Sequence, residues 1–101
     1  MPDDLTSKQR SHLKRLAHPL KPILQIGKEG VTDAAADSVE DAFRTRELLK
    51  VKVQNTAPLD VREAAAILRN RLDGVRVVQT IGRTAVLYRP DPEEPEIRLP
   101  T

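Results

Sequence analysis

The chain has 101 residues, 39% hydrophobic and 32% charged, which fits one globular domain with a single modest core. It has no cysteine, which excludes disulfides, thiolate metal sites and cysteine nucleophiles. Basic residues outnumber acids by only two, and no apolar run approaches the ~20 residues needed to cross a bilayer. Met1-Pro2-Asp3-Asp4 is acidic and leads straight into a polar segment. No signal peptide is expected, and the chain reads as soluble and cytoplasmic, with a flexible stretch over 1–4.

The charge is unevenly placed. Residues 1–30 carry six Lys or Arg against three acids, and residues 75–90 carry three arginines and no acid. Residues 91–101 reverse this, with four acids against one arginine. If the two basic blocks fold together, they make one positive surface for an anionic polymer. Separate solvated faces account for the same composition.

In chain order, Thr6-Ser7-Lys8-Gln9 has the form of a capping box that opens a helix. Leu13, Leu16, Ala17 and Leu20 recur at spacings of three and four, which predicts its buried face. The helix should stop at His18, because Pro19 disfavours helical geometry just before it. Pro22 to Ile26 reads as a short buried strand. Gly27-Lys28-Glu29-Gly30 follows, and two glycines three apart allow a sharp turn and close approach of a ligand. A helix starting just beyond directs its unpaired N–H groups and positive dipole end at the same spot, which suits a phosphate. KH-type modules grip an RNA backbone with such a strand–GxxG–helix unit. A tight turn without a ligand satisfies the same four residues.

The second helix is predicted from Asp33 to about Glu47, with Thr32 as N-cap and Ala35, Val39, Ala42 and Phe43 inside. Asp33, Asp37 and Asp41 are expected in solvent, and Glu40 is placed to pair with Arg44. Leu49 to Gln54 alternates as a strand does, so Lys50 and Lys52 share one face. A third helix should open at Pro58, bury Val61, Ala64, Ala65, Leu68 and Leu72, and end at Gly74. Val75 to Ile81, Gly82-Arg83 and Thr84 to Arg89 form a hairpin signal of type II′. Ile97-Arg98-Leu99 is either a last short strand or extended chain. The order α-β-α-β-α-β-β predicts a compact α/β domain with a four-stranded mixed sheet.

Four motifs then stand in order: Leu16 to Pro22 (LAHPLKP), Ile26 to Thr32 (IGKEGVT), Leu48 to Val53 (LLKVKV) and Val78 to Pro90 (VQTIGRTAVLYRP). Together they resemble the CRM domain (chloroplast RNA splicing and ribosome maturation) in its free-standing bacterial form, the YhbY-like proteins. The likeness covers about residues 5–90 and leaves 91–101 as an acidic, Pro-rich tail. The resemblance implies a fold like the C-terminal domain of translation initiation factor three. It also implies a non-catalytic RNA-binding protein of ribosome assembly, acting on precursors of the large subunit.

By position, the family's GxxG loop falls on Gly27, Lys28, Glu29 and Gly30, with Lys28 supplying charge. Lys8, Lys14, Arg15 and Lys21 extend the positive surface by charge alone, and Lys50, Lys52 and Arg83 are further candidates. Glu29 repels phosphate unless it turns outward. The acidic tail, Asp91, Glu93, Glu94 and Glu96, departs from the basic ending expected of the family; it would limit nonspecific binding or contact a basic ribosomal protein. Phe43 is expected in the core, which leaves Tyr88 as the one candidate for base stacking, so shape and backbone contacts should dominate.

Catalysis has little support. His12 and His18 are six apart, not the three or four that set two ligands on one helical face. His18 is expected to cap its helix. Neither a G-x-S-x-G stretch nor a P-loop is present. No cofactor or metal is expected, no membrane contact, and a monomer is the default. Two readings remain: an RNA-binding assembly factor, with RNA and ribosomal proteins as partners, or a protein-docking module with little RNA affinity.

Overall fold

The computed structural model describes residues 5–101, so the stretch expected to be flexible, 1–4, lies outside the described residues. Helices and strands alternate as α1 (Ser7–Ala17), β1 (Leu24–Ile26), α2 (Asp33–Ala42), β2 (Leu48–Val53), α3 (Val61–Arg71), β3 (Arg76–Ile81) and β4 (Thr84–Tyr88). The sheet order is β1-β2-β4-β3. β1 lies parallel to β2, as a strand–helix–strand crossover requires, and β4 runs antiparallel to both of its neighbours. The mixed four-stranded sheet agrees with the order read from the sequence.

Strand alternation divides the apolar residues between two faces. Ile26, Leu49, Val51, Val53, Ala85 and Leu87 face α2 and α3, which meet them with Ala36, Val39, Phe43, Ala64, Ala65 and Leu68. On the other face, Leu48, Val78, Val86 and Tyr88 pack against Leu13 and Ala17 of α1 and against Leu5, Ile97 and Leu99. Each helix begins on a side-chain cap. Thr6 and Gln9 form the expected capping box, Thr32 accepts from Ala35 N–H, and Asp60 with Glu63 forms a second box. That second box sets the start of α3 at Val61, three residues later than the expected Pro58. The hairpin tip has Gly82 at φ +58, with no non-glycine residue at positive φ among the described residues, which fits a type II′ turn.

Several expectations are corrected. α2 ends at Ala42, and Phe43 caps it with its ring in the core; Arg44 and Thr45 close tight turns onto Asp41 O and Ala42 O. Ala36 rather than Ala35 is the buried alanine of the first turns. Leu16 and Leu20 are partly exposed, because α1 meets the sheet only along its Leu13–Ala17 line. Glu40 does not pair with Arg44, which reaches Asp41 instead. Glu40 takes Arg89 through two bonds of 2.9 Å, and the Arg89 guanidinium lies 5.0 Å from the centre of the Phe43 ring. The Arg89 hydrogen bonds hold the Glu40 carboxyl below its ordinary pKa, against the opposing pull of desolvation. Arg89 is thereby withdrawn from the positive surface expected of residues 75–90.

The acidic tail forms no strand and folds back onto the domain. Glu47, only 6% exposed, accepts the Asp91 N–H at Oε2 (2.6 Å) and those of Glu96 and Ile97 at Oε1 (2.9 and 2.7 Å). Gln9 Nε2 donates to Pro100 O at 3.1 Å. A buried carboxylate satisfied by three backbone donors fixes the tail path, which lays Ile97 and Leu99 over the second core. Glu47→Ala should therefore cost about 3 kcal/mol, since three donors lose a charged acceptor. Urea unfolding measures the loss, and amide exchange should show residues 91–99 exposed first.

Candidate nucleic-acid interface

The topology collects three loops at one end of the sheet. β1 and β2 are parallel, so the GKEG loop after β1 and the Gln54–Asp60 loop after β2 emerge together. β4 starts there too, because Thr84 pairs with Lys52, and the Gly82-Arg83 tip completes the rim. Arg83 O accepts the Val53 N–H at 2.7 Å and ties the hairpin to β2. In open α/β sheets, ligands gather outside the carboxyl ends of parallel strands.

Within the GKEG loop the two glycines have different tasks. Gly30 N–H donates to Gly27 O (3.0 Å), which closes the turn, and Gly30 sits at φ +75. A Cβ on Gly30 would find ordinary van der Waals distances to Pro58 and Leu59, so the backbone angle is what calls for glycine. Gly27 has no positive φ, but a Cβ there would stand 3.1 Å from Gln54 Oε1. Lys28 and Glu29 occupy the exposed corner. Beside the loop lies a shallow cleft of about 470 Å³, lined by β1, the loop, the first turns of α2 and Gln54.

The positive end of the α2 dipole is the feature of this cleft that would draw an anion. Thr32 takes the Ala35 N–H with its hydroxyl and the Ala36 N–H with its carbonyl, which leaves the earlier N–H groups of α2 at the helix mouth. Asp33, the acid of that first turn, is drawn to Arg71 of α3 (2.7 Å). The charged residues lining the cleft are Lys28 and Glu29.

The other candidates fall into separate groups. Lys52 is exposed on β2 beside the loop rim, and Arg83 is exposed at the hairpin tip. Lys50 lies on the same strand face, but its Nζ donates to His18 O (3.3 Å) and Leu20 O (3.0 Å). It neutralises the carboxyl end of α1. Lys8 and Arg15, seven apart, share the outer side of α1, Lys14 lies on a neighbouring side, and Lys21 is exposed in the link to β1. Thus Lys28, Lys52 and Arg83 meet at one end of the sheet, while the α1 cations form a second group. Tyr88 is buried at 2% exposure, with burial raising its pKa, and is not available for stacking.

Two features escaped the sequence reading. Gln25 and Gln54 are joined side chain to side chain (2.6 Å) next to Gly27. Arg62 and Arg69 of α3, with Arg10 of α1, line a groove along edge strand β3, where Arg10 Nη1 donates to Val77 O and Val78 O. The seven-residue spacing of Arg62 and Arg69 is a readable signal; the pairing of Gln25 with Gln54 depends on strand register.

The CRS1 / YhbY (CRM) domain matches residues 5–89. The chain belongs to this family. It is 42% identical over 98 residues to "Probable RNA-binding protein YqeI" of Bacillus subtilis, covering 95% of this chain and 99% of that one. A Haemophilus influenzae protein named "RNA-binding protein" is 40% identical over 99 residues, with 95% of each chain covered. The CRM-domain factor CFM3 of Zea mays chloroplasts and mitochondria is 32% identical over 90 residues, and the match spans 11% of its length. Among solved structures, a hypothetical Staphylococcus aureus protein described as a candidate RNA binder superimposes with TM-score 0.79. That chain is 40% identical, with 95% of this chain and 99% of that one covered.

In this CRM domain the glycines separate by experiment. Gly30→Ala places a Cβ in the left-handed region and should destabilise by about 1–2 kcal/mol. Gly27→Ala should cost less than about 0.5 kcal/mol, since only the end of an exposed glutamine must move. Urea unfolding of both variants measures the difference.

Proposed function

We propose that this CRM-domain protein is a non-catalytic RNA-binding protein that holds ribosomal RNA in precursors of the large ribosomal subunit during assembly. Its phosphate-binding surface is the loop end of the sheet, with Lys28 at the GKEG corner and Lys52 and Arg83 beside it. Lys8, Lys14, Arg15 and Lys21 extend the positive field over α1. The protein acts in the cytoplasm as a monomer, with ribosomal proteins as its further neighbours.

One observation carries this reading. A glycine turn, a capped helix mouth whose acid is turned to Arg71, and three exposed cations share one rim. The names of the relatives support RNA as the ligand. With Tyr88 in the core, contacts to phosphate and sugar supply most of the affinity, and these are salt-dependent. No helix among the described residues is long and apolar enough to cross a membrane.

Binding of large-subunit ribosomal RNA fragments across a salt series tests the proposal. The plot of log affinity against log salt should be steep for the unsubstituted chain. For Lys28→Glu it should be shallower by about 0.7–0.9 for each phosphate that the loop no longer neutralises, with weaker binding throughout. Equal binding by both chains would move the site off the loop to α1. Absence of salt-dependent binding would leave the protein-docking reading in its place.

A further inference from the structure

The sheet face that carries α1 is not covered along its whole length. α1 and the tail lie over Leu48, Val78, Val86 and Tyr88, all buried. Nearer the loop end the cover stops. There Gln25 is the cross-strand partner of Lys52, Lys52 of Thr84, and Thr84 of Ile81. Paired residues project from the same side of a sheet, so these four form one transverse row across all four strands. Gln25, Lys52 and Ile81 are exposed and Thr84 is half-buried. Ile81, at 61%, is the most accessible of the large exposed hydrophobic side chains among the described residues.

The row is continuous with the GKEG loop. Gln54 Nε2 donates to Gln25 Oε1, and Gln54 Oε1 lies against the Gly27 backbone. The bare strip therefore begins where the proposed phosphate site ends. Its chemistry is mixed in a specific way. Ile81 and the methylene stem of Lys52 supply apolar surface, while Thr84 and the two glutamines present donors and acceptors. Among the charges around it, Lys28, Lys52 and Arg83 are exposed cations, while Asp60 and Glu63 are tied into the α3 capping box and Glu29 is the acid of the loop, a balance that favours a polyanion over an acidic or apolar protein segment.

Building on the RNA-binding reading above, we propose that the Gln25–Lys52–Thr84–Ile81 row seats unpaired nucleobases of a strand whose phosphate is held at the GKEG loop. The row spans three strand spacings, about 14 Å, so the Gln25–Gln54 amides meet the edge of one base and Ile81 packs against the face of another. The site thereby selects single-stranded segments, because a duplex keeps its base faces in the stack and cannot offer one.

Titration of a short fluorescent oligouridine and of a short perfect RNA duplex tests this, using the unsubstituted chain, Ile81→Ser, Gln25→Ala and Lys28→Glu. Ile81→Ser should weaken oligouridine binding by about threefold to tenfold, as loss of a partly buried aliphatic contact does. It should leave duplex binding and both salt slopes unchanged. Gln25→Ala should weaken oligouridine by a smaller factor, and Lys28→Glu should lower the salt slope on both ligands. Circular dichroism melts should match for Ile81→Ser and the unsubstituted chain, since the side chain is exposed. If Lys28→Glu acts while Ile81→Ser and Gln25→Ala bind oligouridine normally, RNA binding at the loop stands and the base seat is overturned. An equal loss on duplex and single strand also overturns it. If the unsubstituted chain binds neither ligand, both readings fall.

Discussion

A four-stranded sheet has two apolar faces to bury, and this chain has helices enough to cover only one of them fully. α2 and α3 close the first face. The second receives α1, an 11-residue helix, and the tail covers more of its apolar surface while leaving Ile81 exposed. What holds the tail in place is the buried carboxylate of Glu47, with three backbone N–H groups converging on it. Hydrogen bonds to a buried charge are strong, and leaving that charge without partners would be costly. Much else in the layout follows from this closure.

One consequence is polarity along the strands. Glu47 stands just before β2, so the tail and its acids gather at the amino end of that strand, near Arg44 and Arg46. The GKEG loop, Lys52 and Arg83 lie at the carboxyl end. Asp91, Glu93, Glu94 and Glu96 are thus kept at the end of the domain away from Lys28, Lys52 and Arg83. The two clusters would partly cancel if the tail lay over the loop end. The same economy of cover leaves the last row of the sheet bare beside the loop.

The fold was legible in the sequence where patterns were local. The capping box at Thr6, the N-cap at Thr32, the alternation in β2 and the glycine-first hairpin each mark a choice made within a few residues. Their order was enough to predict a mixed sheet. What escaped were long-range pairings between polar groups. Arg89 reads as a surface cation and Glu40 as a helix-surface acid, yet they meet across 49 residues and take Phe43 with them. Glu47 reads as the last residue of a helix; burial at a chain reversal makes it the anchor of the tail. For the site, glycine spacing located the loop, but only strand register shows that Lys52 lies beside it and that Lys50 is engaged with α1. Tyr88 alternates with Val86 and Leu87 in a way that leaves its own burial undecided until α1 is placed.

The most direct measurement is amide chemical-shift mapping of the labelled chain during titration with a single-stranded ribosomal RNA fragment. The expected perturbations cluster at 25–33, 52–55 and 81–84, with a weaker set along the outer side of α1. Residues 44–47 and 91–97, at the acidic end, should stay near their free positions. Perturbations concentrated at the acidic end, with the GKEG loop unmoved, would contradict the proposal that the loop end is the RNA-binding surface.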